Sequence, residues 1–130
     1  MSTRTIHFNG MTISAIDTRE DGVTIHFSRA IIVKNMEGAE QDTRWHGQGR
    51  IDIEEPASTI GGIPTLPTDL VGADIRDNQI TYRDEIVMPF TFHGLVGITL
   101  RFPEGSGKLG ITGEKISLAL SEHEKYIEHI

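Results

Sequence analysis

Cysteine is absent from the 130 residues. That removes disulfide staples, thiolate chemistry and Cys-ligated zinc together. Stability must come from burial and strand pairing, and a thiol-free chain suits a reducing, cytoplasmic compartment. Long apolar runs are also missing, and none approaches the roughly 18 residues that a transmembrane helix requires. Met1-Ser2-Thr3-Arg4-Thr5 leads directly into an alternating segment with no apolar stretch before it, so no signal peptide is expected.

Clustered positive charge is the next absence. Twelve basic side chains face 19 acidic ones, for a formal charge of −7. The imbalance is even: residues 1–65 carry six basic against nine acidic groups, and residues 66–130 six against ten. With no Lys/Arg stripe, the chain lacks the electrostatic footprint of a nucleic-acid binder. An anionic membrane surface would repel it on the same grounds. Distributed acidity favours solubility and would draw in a basic partner.

Catalytic signatures are likewise missing. Six histidines are present, His7, His26, His46, His93, His123 and His129, without a His-x-His or His-Glu-x-x-His spacing. His26, His46 and His93 could converge from separate strands, but nothing in their spacing requires it, and each reads as a polar residue on a solvated face or in a turn. Gly105-Ser106-Gly107-Lys108 lacks the earlier glycine, the following Ser/Thr and the helix of a phosphate loop, so it reads as a hairpin tip. No Gly-x-Ser-x-Gly elbow occurs. Neither a metal nor a cofactor is therefore expected.

What is present is alternation. Val23, Ile25, Phe27, Arg29, Ile31 and Val33 share one parity, with Thr24, His26 and Ser28 on the other. That is a long strand with one side on a core. Arg29 is the intruder in the apolar set. Either a β-bulge near Arg29-Ala30 turns it outward, or its charge is buried and paired. The bulge is the expectation, because Ile31-Ile32-Val33 has lost clean alternation.

Residues 45–55 repeat the pattern, with Trp45, Gly47, Gly49, Ile51 and Ile53 opposite His46, Gln48, Arg50, Asp52 and Glu54. Ile80/Tyr82, Ile86/Met88/Phe90, Val96/Ile98/Leu100/Phe102, Leu109/Ile111 and Ile116/Leu118/Leu120 follow at intervals of two. Asn9-Gly10 is a strong hairpin signal, expected to join Ile6-His7-Phe8 to Met11-Thr12-Ile13. Asp21-Gly22, Asp77-Asn78, residues 103–107 and Thr112-Gly113-Glu114 read as further turns, and Pro89 marks a strand end or edge. Ser121-Glu122-His123-Glu124 has capping-box form, so a short helix from Glu122 to about His129 is expected, anchored by Tyr126, Ile127 and Ile130.

These signals predict an all-β chain, residues 1–130 forming a single domain. Its architecture is expected to be an antiparallel β-sandwich or flattened β-barrel of about nine strands with a short C-terminal helix.

Two surfaces are candidates for function. The long connection 56–70 holds Pro56, Gly61-Gly62, Pro64 and Pro67, and brings Ile60, Ile63 and Leu66 outside the regular strands. These three either plug one end of the sheets or reach a neighbouring subunit. The polar face His46-Arg50-Asp52-Glu54 is the densest mixed constellation, where Asp52 and Glu54 could form a carboxylate pair oriented by His46 or Arg50. Trp45 could lie across Gly47 and Gly49 or offer a stacking platform to a flat ligand. The leading expectation is a non-enzymatic soluble β domain that self-associates, as a dimer by default, or binds a protein partner. The alternative is a small-ligand barrel or lyase/isomerase-like enzyme using Arg29, Trp45, His46, Arg50, Asp52 and Glu54.

Overall fold

The computed structural model describes residues 3–35, 38, 41–121 and 125–129. Eleven strands make up its regular structure, and no helix occurs among the described residues, hence none able to cross a membrane. They are β1 (Thr3–Thr18), β2 (Gly22–Asn35), β3 (Thr43–Glu54), β4 (Ser58–Gly61), β5 (Thr68–Asp69), β6 (Gly72–Asp77), β7 (Ile80–Arg83), β8 (Glu85–Met88), β9 (Thr91–Arg101), β10 (Lys108–Leu120) and β11 (Lys125–His129). All pairings are antiparallel.

The sheet order is β5-β1-β2-β3-β10-β9-β6-β7, with β8 beside β1, β4 beside β10 and β11 beside β3. The sheet curls until its ends meet through irregular backbone. Phe8 N–H donates to Asp84 O (2.8 Å) and Asp84 N–H donates to Ala73 O (2.7 Å). Leu70 extends the junction, accepting from Gly10 N–H and donating to Met11 O, both at 2.8 Å. Asp84 holds φ at 65°, a left-handed conformation that Asp tolerates better than most residues. Its carboxylate takes the Arg101 guanidinium, which also pairs with Asp74 at 2.8 Å.

Inside the curl lies one apolar cluster containing Ile6, Phe8, Ile13, Ile25, Ile51, Ile75 and Leu100, all essentially inaccessible to water. Alternation explains why these residues meet, because every second side chain of each strand faces the concave side. The bulge at Arg29 is present. Phe27 pairs with Gly49 and Ala30 with Gly47, so Ser28 and Arg29 together face the single residue Gln48. The inward parity then moves from Val23, Ile25 and Phe27 to Ala30 and Ile32, and Arg29 is exposed.

Two expected turns lie inside strands instead. Asn9-Gly10 does not close a hairpin: β1 runs straight through it while remaining paired with β2. Gly10 adopts φ 77°, and the distortion lets one edge of β1 serve β8 at residues 4–7 and β5 at residues 12–13. Thr112-Gly113-Glu114 likewise lies within β10, where one edge passes from β4 to β3 and, on the other, Glu114 faces both Gly94 and Leu95 of a bulge in β9. A tight curl needs such corners, and a bulge supplies the extra bend and twist. The signals at Asp21-Gly22, Asp77-Asn78 and 103–107 do fall in turns.

The C-terminal helix is not formed. Lys125–His129 is strand β11, paired with β3 from Lys125 opposite His46 to His129 opposite Thr43. Glu122, His123, Glu124 and Ile130 lie outside the described residues. Tyr126 and Ile127, expected to anchor the helix by burial, are 49% and 36% exposed. Five residues make a poor helix alone, whereas the open edge of β3 offers partners to the backbone groups that point toward it.

Candidate functional site

The outward row of β3 divides into two clusters, because the bulge in β2 and the arrival of β11 change its neighbours halfway along. In the second half, Asp52 accepts from Thr24 Oγ1 (2.7 Å) and from Arg50 Nε (2.9 Å), while Arg19 donates to the same Thr24 oxygen (2.9 Å). Thr24 is only 5% exposed, covered by this chain of contacts. Glu54 pairs with Lys115 at 3.4 Å, and His26 with Asp17 at 2.9 Å. The depression they border has a volume of about 620 Å³.

Asp52 and Glu54 therefore do not act on one another as a carboxylate pair, since each has its own cation. The His26 ring takes Asp17 as its hydrogen-bond partner. Such half-exposed pairs contribute about 0–1 kcal/mol each. Among the described residues no three His, Asp or Glu side chains are grouped as metal ligands. Asp17, Arg19 and Lys115 belong to this cluster without having been singled out in the sequence, and His26, named there beside His46 and His93, meets neither of them. Lys115 does carry the outward parity that could have marked it.

In the first half of β3, His46 meets Arg29. The guanidinium donates from Nε (3.2 Å) and Nη2 (3.0 Å) to His46 Nε2. His46 is held below its ordinary 6.5 by burial first, then by the charges of Arg29 and Lys125. Lys125 stands opposite His46 across the β3–β11 pairing. Sequence reasoning could not have placed it there, because the segment carries a helix-start signal.

Trp45 points to the other face and is half-buried. Ile32 Cδ1 fills the space over Gly47, while the Ala119 carbonyl passes where a Gly49 side chain would stand. The indole thus does not lie across the two glycines. Its Nε1–H donates to Thr43 Oγ1 (2.8 Å), the Lys34 ammonium sits 4.0 Å from the ring centre, and Tyr126 meets it edge-on at 5.3 Å. With its donor satisfied and a cation over the ring, the indole fastens β11 to β3 rather than presenting a bare platform.

The connection 56–70 is not structureless, for it contains β4 and β5. β4 pairs with β10 from Ser58 opposite Thr112 to Gly61 opposite Leu109. Its other edge pairs with no described strand. Ile60 is 71% exposed and Ile63 48%, whereas Leu66 packs against the core. The three apolar residues thus separate into two outward ones and one inward one.

No family model matches the chain, and comparison with curated proteins and with solved structures gave no match.

Proposed function

We propose that the chain is a non-enzymatic binding domain of a reducing, cytoplasmic compartment that self-associates as a two-fold dimer through the β4 edge. The observation that carries this reading is the composition and placement of that edge. Residues 56–68 contain no Asp, Glu, Lys or Arg, although 24% of the chain is charged. Exposed edges are ordinarily blunted by charge or proline. Here Pro56, Pro64 and Pro67 confine the exposed segment to a few residues and leave Ser58–Gly61 able to pair.

Antiparallel pairing of two identical strands about a two-fold axis satisfies backbone groups on both and brings both Ile60 side chains to one interface. Two chains of charge −7 repel each other, so they approach best where charge is missing. A separate protein partner is the other occupant of the same edge. A small-ligand or lyase/isomerase-like role is less well supported, because the concave interior is filled by apolar side chains and the carboxylates outside it are ion-paired.

Light scattering of the Ile60→Lys/Ile63→Ser double variant tests the proposal. The expected result is a fall from dimer to monomer mass with the thermal midpoint nearly unchanged. Leu66→Ser should do the opposite, lowering stability while leaving the mass intact. A monomeric parent chain, or an unaltered mass for the double variant, would refute self-association at this edge.

A further inference from the structure

The Ser28-Arg29 bulge creates a second surface, independent of the β4 edge. Phe27 and Ala30 are buried and the two residues between them are exposed, so the bulge turns both Ser28 and Arg29 outward, opposite Gln48. Gln48 and His46 share the outward parity of β3, and Lys125 enters from β11. Ser28, Arg29, His46, Gly47, Gln48 and Lys125 line a depression of about 390 Å³.

That lining is anomalous for a chain with seven more acidic than basic side chains, because among the described residues no carboxylate lines it. Arg19, Arg44, Arg50, Arg83 and Arg101 each sit against an Asp or Glu. Arg29 has a neutral imidazole instead, and it lines the same depression as a second cation, Lys125. A guanidinium directed onto an imidazole lone pair leaves Nη1 and part of Nη2 free to donate. The Ser28 hydroxyl, the Gln48 amide and the Lys125 ammonium add donors of both charged and neutral kinds.

We propose that this depression is a binding site for a tetrahedral oxyanion, the phosphate group of a small molecule or free phosphate. Arg29 and Lys125 supply the charge, and Ser28 and Gln48 supply neutral hydrogen bonds that a compact dianion needs on its remaining oxygens. His46 is the responsive element. With the site empty it accepts from Arg29 and is neutral; a bound dianion draws Arg29 toward itself and reverses the potential at the ring. Among the described residues the charged groups facing His46 are Arg29 from β2 and Lys125 from β11, so anion binding offsets both of its cationic neighbours and favours its protonation.

Titration of the full, isotopically labelled chain with inorganic phosphate at fixed ionic strength, followed by NMR, tests the site. Saturable shifts are expected at the His46 ring and at the Gln48 and Gly47 amides, with the His46 titration midpoint moving upward on saturation. Arg29→Met and Lys125→Met should each weaken phosphate binding about tenfold, as loss of one charge-assisted contact implies. Arg50→Met, in the neighbouring cluster, should leave it unchanged. Both lost side chains are exposed, and an intact amide spectrum verifies folding of each variant. Shifts that never saturate, or equal affinity in Arg29→Met, would overturn the site. Acetate binding as tightly as phosphate would overturn the tetrahedral class.

Discussion

At the scale of single residues, context separates side chains that look alike in the sequence. Arg29 and Arg50 both lie on outward strand faces, yet Arg50 has the Asp52 carboxylate at 2.9 Å while Arg29 has the His46 ring at 3.0 Å. The difference has a consequence in pH. His46 holds a proton less well in the folded chain than its ordinary 6.5, so the unfolded state binds more protons around and below that value. Stability from this group is fully present above about pH 6.5 and falls as pH drops through that window. His46→Gln should flatten the pH dependence of the urea midpoint between about pH 5 and 7 relative to the parent chain. An identical slope in both proteins would show that the folded imidazole is unperturbed. Arg29→Met should itself be nearly neutral for stability, since the side chain is exposed and holds no carboxylate.

Among the elements, the strands that change partners matter most. β1, β3 and β10 each serve two neighbours along one edge, with β3 pairing β11 at residues 43–46 and β10 at 49–54. β11 is fastened by the Trp45–Tyr126 edge contact and by the Arg44–Glu128 pair at 2.8 Å. Tyr126→Ala should cost about 1 kcal/mol, the scale of one aromatic pair. Its clearer effect should be local: faster amide exchange at Arg44–His46 with the Ile51 and Ile53 amides still protected. Uniform exchange across β3 would mean that β11 adds nothing to that edge. The elements that local pattern misassigns are the bend at Gly10, read as a hairpin, and the edge strand β11, read as a helix. Asn9-Gly10 carries an excellent turn signature, but the same left-handed glycine also suits a bulge within a continuous strand.

For the whole molecule, charge and edge composition work against each other. Each chain carries −7, and residues 56–68 carry none of it. If association occurs at that segment, repulsion between the remaining surfaces opposes it and is screened by salt, with a Debye length of about 30 Å at 0.01 M and about 8 Å at 0.15 M. Sedimentation should therefore show tighter self-association as ionic strength rises across that range. Dissociation by added salt would point instead to an interface held by ion pairs. The proposed phosphate site responds in the contrary direction, because screening weakens Arg29 and Lys125 toward an anion. The two surfaces can thus be told apart in one buffer series.

The sequence by itself determined the all-β class, most of the inward residues and the division of β3 into a polar and an apolar face; it narrowed Arg29 to a bulge or a buried pair, and the β2–β3 register decided for the bulge. Those follow from a period of two and from turn chemistry, which act over a few residues. Tertiary structure decided the rest. Whether Gly10 and Gly113 end a strand or lie within one depends on neighbours distant in the chain, as does the recruitment of residues 125–129 into an edge. The meeting of Arg29, His46 and Lys125 depends on both the bulge and that recruitment, and local pattern carries no information about strands brought together from opposite ends of the chain.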